Sequence, residues 1–149
     1  MADAAALARV HVASWQGAYR GLVPDEVVDG LDVADWAKRK ARALRQGAVM
    51  WIVDEGLGFA HAGPSRDDEG GELYALYVHP ERFGRGLGLA LLRTVEAWLD
   101  ARFDRSELWV LEGNTRARRF YEAAGWREVE SNTKAVLGVE LDVTRYVRL

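Results

Sequence analysis

The chain predicts a mixed α/β fold built on one sheet, mostly antiparallel and flanked by helices. Apolar residues recur at helical spacing through residues 7–46, then at strand spacing, and after that the two periods alternate. A glycine-rich junction, Gly84, Gly86 and Gly88, joins a strand-like run to a helix-like one. At 149 residues the chain has the length of one domain, so residues 1–149 are expected to share a core.

Each element follows from its pattern. Leu7, Val10, His11, Ser14, Trp15 and Ala18 share a helical face, with Asp3 placed to cap its start. His11 lies between Leu7 and Trp15 on that face and reads as a core residue. Pro24 opens a short second helix carrying Val27, Val28 and Leu31, and Trp36–Gln46 continues as a more basic helix ended by Gly47. Lys38, Arg39, Lys40, Arg42 and Arg45 on that stretch read as a solvated face. Ala48–Val53 is a strand, Asp54–Gly56 a turn and Leu57–Ala62 its hairpin partner. The polar loop Ser65–Gly71 leads into a strand, Glu72–Val78. Strict alternation there puts Glu72, Tyr74 and Leu76 on one face and Leu73, Ala75 and Tyr77 on the other. The helix from Leu87 to about Phe103 turns Leu91, Leu92, Val95, Trp98 and Leu99 inward. A strand at Glu107–Leu111, a helix at Asn114–Ala124 and a strand from Trp126 to about Glu130 follow. The last strand sets Val139, Leu141 and Val143 against Glu140, Asp142 and Thr144. The order is α, α, β, β, β, α, β, α, β, β.

Composition removes several function classes. A net charge of −3 argues against a general nucleic-acid binder, and the absence of cysteine excludes disulfides, zinc-thiolate sites and an acyl-cysteine intermediate. No His-x-His or His-Glu-x-x-His spacing occurs, so no metal site is expected. The first residues lack a basic region followed by an apolar core, and no segment reaches the ~18 apolar residues of a membrane span. A cytoplasmic location with no membrane partner is the expectation.

The glycine junction carries the chemistry. Alternating glycines let consecutive N–H groups converge, and the first turn of the following helix adds its own unpaired donors, which together make an anion cradle suited to phosphate. It is not a dinucleotide fingerprint, because counting from Gly84 the third glycine is replaced by Leu89. It is not a nucleotide P-loop either, because Gly88 is followed by Leu89 and Ala90 where a lysine and a hydroxyl are needed.

The spacing Gly84, Gly86, Gly88 after Val78-His79-Pro80 resembles motif A of the GNAT superfamily of acyl-CoA-dependent N-acyltransferases, whose loop amides bind the pyrophosphate of coenzyme A. The family's Gln or Arg falls at Phe83 here, with Arg82 one place earlier. The run from Leu108 through Asn114, Ala117, Phe120-Tyr121 and Gly125-Trp126 resembles motif B, and Val12–Pro24 resembles a segment common in bacterial members. Family members normally begin with one more strand. That N-terminal edge strand is missing here, or lies before a start assigned too late, and its absence would favour pairing with another chain as a homodimer.

The resemblance implies an N-acetyltransferase that moves an acetyl group from acetyl-CoA to a primary amine by direct attack in a ternary complex. The alternative is a non-catalytic acyl-CoA-binding or sensing module. Tyr121 matches the family's general acid near the sulfur; a phenol with a pKa of about 10 remains protonated at neutral pH and can donate to a thiolate. Glu72 matches a position where relatives carry a carboxylate base, with His61 and His79 as alternatives. Tyr77, Val78, Phe83, Gly84, Arg85, Gly86, Leu87, Gly88 and Asn114 fall on cofactor-contacting positions, Asn114 being also a good helix cap. Trp15, Tyr19, Trp51, His61 and the Ser65–Gly71 loop are the family-based candidates for holding the acceptor. A bulge near Leu76-Tyr77-Val78 is implied, with a backbone N–H there serving the oxyanion.

Overall fold

A computed structural model describes residues 4–19, 21–53, 58–66, 69–79, 86–136 and 139–148. The cap expected at Asp3, the turn Asp54–Gly56, and Phe83, Gly84 and Arg85 lie outside them. The chain divides into two compact units, Met1–Ala48 and Val49–Leu149. No described helix is long and apolar enough to cross a membrane.

The first unit is helical: α1 (Ala4–Tyr19), α2 (Asp25–Asp29) and α3 (Val33–Arg45). The stretch after Pro24 is two helices, because the Asp32 carboxylate accepts the Ala34 N–H at 2.8 Å and starts α3 afresh. Gln16 Nε2 donates to the Val28 carbonyl at 3.2 Å, tying α1 to α2. Between α1 and α3 the His11 and Trp36 rings meet at 4.5 Å. The basic stretch is not wholly a solvated face. Lys40 is buried, with its Nζ 5.3 Å from the Trp36 ring centre, so the indole face takes the cation that the pattern assigned to water.

The second unit is a six-stranded sheet in the order β1-β2-β3-β4-β6-β5, with β1 Val49–Val53, β2 Gly58–Pro64, β3 Gly71–Val78, β4 Ser106–Leu111, β5 Arg127–Val136 and β6 Val139–Arg148. Among the described residues only β3 and β4 run parallel, as the crossover through α4 (Leu87–Asp100) requires. No described strand precedes β1, which forms an edge. Leu91, Leu92, Val95 and Leu99 of α4 pack on Ala60, Ala62, Leu73, Leu108, Val110 and Tyr146 of the sheet, with Tyr121 of α5 (Thr115–Ala123) and Trp126 closing one side. Each fully buried aliphatic side chain contributes about 2 kcal/mol by leaving water, which fixes α4 on this face.

Candidate active site

The β3/β4 ladder pairs Gly71 with Ser106, Glu72 with Glu107 and Leu73 with Leu108, and ends there. Both strands continue, β3 to Val78 held by β2 and β4 to Leu111 held by β6. Tyr74–Val78 and Trp109–Leu111 therefore border a wedge in which neither strand serves as the other's ladder partner. Buried backbone amides need acceptors, so an extended ligand carrying amides of its own fits such a wedge. Tyr74 is skipped in the β2/β3 register, with Ala62 opposite Leu73 and His61 opposite Ala75. This bulge lies at the point where the wedge opens.

Past the far end of β3, α4 begins at Gly86, whose φ of +76° is open to glycine without strain. The first α4 amide bonded to that residue is Ala90, at 3.0 Å from the Gly86 carbonyl, and the first-turn donors of Leu87, Gly88 and Leu89 have no acceptor within the helix. A side chain at Gly88 would come within 3.5 Å of Val78 and 3.6 Å of Phe120, so the end of β3, the start of α4 and α5 converge here. Asn114 caps α5 by accepting the Ala117 N–H at 3.2 Å. Past the other end of α5, Gly125 at φ +103° turns the chain so that the Trp126 N–H reaches the Tyr121 carbonyl at 3.0 Å. Tyr121 itself is buried, edge-on to Phe120 at 5.3 Å and to Trp126 at 6.2 Å.

A polar network covers the sheet face away from α4. Glu72 is fully buried, and its carboxylate accepts from the Arg66 N–H at 3.0 Å and from Arg66 Nη2 at 2.6 Å. Glu107, its neighbour across the ladder, accepts from Ser65 Oγ at 2.8 Å and from Arg145 Nε at 2.8 Å. The Arg66 guanidinium lies 4.6 Å from the centre of the Tyr74 ring, and His61 meets the same ring edge-on at 4.8 Å. The Tyr74 hydroxyl donates to the Pro64 carbonyl. Burial first, and the Glu72 charge second, push the Tyr74 phenol up to about 12, so it stays neutral across the physiological range. Burial also raises Tyr77, which packs beside Phe59.

Residues 13–126 match the Acetyltransferase (GNAT) family. The chain belongs to that family. It is 34% identical over 142 residues to the uncharacterized N-acetyltransferase YuaI of Bacillus subtilis, covering 91% of this chain and 81% of that one. Its fold matches a GCN5-related N-acetyltransferase from Rhodopseudomonas palustris with a TM-score of 0.70 at 25% identity, over 98% of this chain and 89% of the other. It also matches the PaiA N-acetyltransferase of Thermoplasma acidophilum, solved in complex with coenzyme A, with a TM-score of 0.67 at 19% identity over 95% and 91%. A GNAT protein is an acyltransferase, and acetyl-CoA is the cosubstrate of the family.

Within the GNAT frame the structure sorts the expected site residues. Tyr77, Val78, Gly86, Leu87, Gly88, Asn114 and Tyr121 lie on the elements that meet at the wedge. Phe83, Gly84 and Arg85 fall outside the described residues, as does the side chain of Tyr19. Trp15 is half-buried on α1 in the first unit. Trp51 stands edge-on to Trp98 of α4 at 5.9 Å, packed against the hydrophobic core, and His61 is buried against Tyr74. The strict alternation expected along β3 does not hold. Leu73 and Leu76 both pack into the α4 core because the bulge at Tyr74 inserts one residue between them. Sequence reasoning reached Arg66 only as part of the Ser65–Gly71 loop and did not single out Tyr74, Glu107 or Arg145 as site residues. The one available signal was the polar alternation of Glu72 and Glu107 in otherwise apolar strands, which marks buried charges that demand partners.

Proposed function

We propose that this chain transfers an acetyl group from acetyl-CoA to a primary amine by direct attack within a ternary complex. The observation that carries the reading is the wedge: two adjacent parallel strands lose each other after Leu73 and Leu108 while both run on. The amides of a pantetheine arm suit the open strand edges, and the first-turn donors of Leu87 and Gly88 suit a diphosphate, each such hydrogen bond to a charged group being worth roughly 1.5–3 kcal/mol. Asn114, already the cap of α5, stands on the same helix as Tyr121, two turns away.

In this reading the N–H groups at the Leu76–Val78 end of β3 receive the charge that develops on the thioester oxygen. Glu72 takes the proton that the amine loses as its nitrogen bonds to the acyl carbon. Tyr121 gives its phenolic proton to the departing sulfur as the C–S bond breaks. The two residues then exchange protons with solvent and return to their starting states. The chain has no cysteine to carry the acyl group, which supports direct transfer.

Thiol release from acetyl-CoA in the presence of polyamines, amino acids, aminoglycosides and peptides tests this. Turnover with at least one amine is expected, and Tyr121→Phe should lower kcat by about 100-fold while leaving the KM for acetyl-CoA within about twofold. Coenzyme A binding without turnover on a broad panel would make the chain an acyl-CoA-binding module, and unchanged kcat in Tyr121→Phe would remove the tyrosine from the mechanism.

A further inference from the structure

Glu72 has no exposed side-chain surface, whereas the Arg66 side chain that neutralises it is 64% exposed. Among the described residues, every hydrogen bond to the Glu72 carboxylate comes from Arg66: its backbone N–H, its Nε at 3.5 Å and its Nη2 at 2.6 Å. The same guanidinium faces the Tyr74 ring. A buried carboxylate strongly requires a cation, and an aromatic face adds attraction for one. The cation in place here is mostly in water, so another cation can replace it with little new burial of charge.

The setting fits a ligand site. Glu72 is one residue before the end of the β3/β4 ladder, and Tyr74 is the bulge at which the wedge opens. The neutral phenol is tied to Pro64 and its ring is braced by His61, so the face presented to the cation is held in place. While Arg66 is seated it donates to both carboxylate oxygens, so its guanidinium holds the position from which an amine would reach Glu72.

We propose that Arg66 is the resident cation of the acceptor site: its guanidinium occupies the place, between the Glu72 carboxylate and the Tyr74 ring, that the ammonium group of a cationic acceptor takes. The inference rests on the acetyl-transfer reading and names its acceptor class, a primary amine that arrives protonated. Exchange sets the ammonium against Glu72. One N–H bond then breaks, an O–H bond forms on the carboxylate, and the neutral nitrogen is left with its lone pair beside the wedge. Arg66 is thereby a specificity-determining residue that an acceptor must outcompete.

Arg66→Ala, Arg66→Gln and the double variant Arg66→Ala/Glu72→Gln test this with methylguanidine and methylammonium as probes. Without any cosubstrate, either probe should raise the melting temperature of Arg66→Ala in a saturable way, should do so in the native chain only at about tenfold higher concentration, and should leave the double variant unshifted. In turnover, Arg66→Ala should lower the KM for the amine by about tenfold with the KM for acetyl-CoA unchanged, and methylguanidine should inhibit it competitively against the amine. Should Arg66→Ala not fold alone, Arg66→Gln, which retains a neutral donor for Glu72, carries the same measurements. A merely positioning role for Arg66 gives the opposite sign, a fall in kcat that methylguanidine restores, and this overturns the proposal. Equal melting shifts in the single and double variants overturn it as well. A saturable shift in the single variant that the double variant lacks, with no amine acetylated, keeps the cation site and removes the acetyl-transfer reading; turnover without that shift does the reverse.

Discussion

His11 is a titratable group that folding holds neutral. Burial between α1 and α3 lowers its pKa from 6.5 to about 3, with the Lys40 charge as the second cause. The folded-state value is the lower one, so between pH 6.5 and 3 the unfolded chain binds more protons than the folded one. The stability that neutral His11 provides is fully present above pH 6.5 and is lost as the pH falls toward 3. The slope is at most one proton, about 1.4 kcal/mol per pH unit. Urea denaturation of the native chain and of His11→Leu from pH 7 to pH 4 should show curves that converge as acid is added; parallel curves would place the histidine's titration outside the folding equilibrium. The burial of His11 was readable from its place between Leu7 and Trp15, because helical spacing is a local property. The burial of Lys40 was not, since it depends on which helix brings Trp36 and His11 against it.

At the scale of elements, α4 is pinned by a buried carboxylate as well as by its apolar face. Glu96 accepts from Trp126 Nε1 at 2.9 Å and from Arg93 Nη1 at 2.6 Å, and pairs with Arg148 at 3.3 Å. Glu96→Ala leaves the buried indole N–H without its acceptor and both arginines without this partner, and should cost about 3 kcal/mol in urea denaturation. Trp126→Phe should cost less, because it removes the donor and not the charge. A loss below about 1 kcal/mol for Glu96→Ala would mean that apolar packing alone holds the helix. The apolar stripe of α4 was legible in the sequence, Leu91, Leu92, Val95, Trp98 and Leu99 all meeting the core. Strand β3 shows where such reading stops. Its period of two is interrupted at Tyr74, and not at Leu76-Tyr77-Val78 where the motif resemblance implied a bulge, because the irregularity arises from pairing with β2.

For the whole molecule, the wedge and the α4 N-terminus both lie within Val49–Leu149, so a ligand that fills them should stabilise that unit. Coenzyme A at a hundred times its dissociation constant should add about 2.7 kcal/mol to the unfolding free energy, read as a concentration-dependent rise in melting temperature. A melting temperature that ignores coenzyme A would remove both the transferase and the acyl-CoA-binding readings. The family match over residues 13–126 includes residues of both compact units.

Element types and their order from β1 onward, the glycine junction, the Asn114 cap and the pairing of Tyr121 with a glycine-ended helix all follow from local chemistry. Periodicity, backbone freedom and capping act within a few residues, so sequence alone reveals them. The exchange of β5 and β6 in the sheet order, the separation of β3 from β4 after Leu73, the bulge at Tyr74 and the seating of Arg66 on Glu72 do not. Each is a match between segments far apart in the chain, chosen by which strand edges and buried charges find partners when the sheet closes on α4.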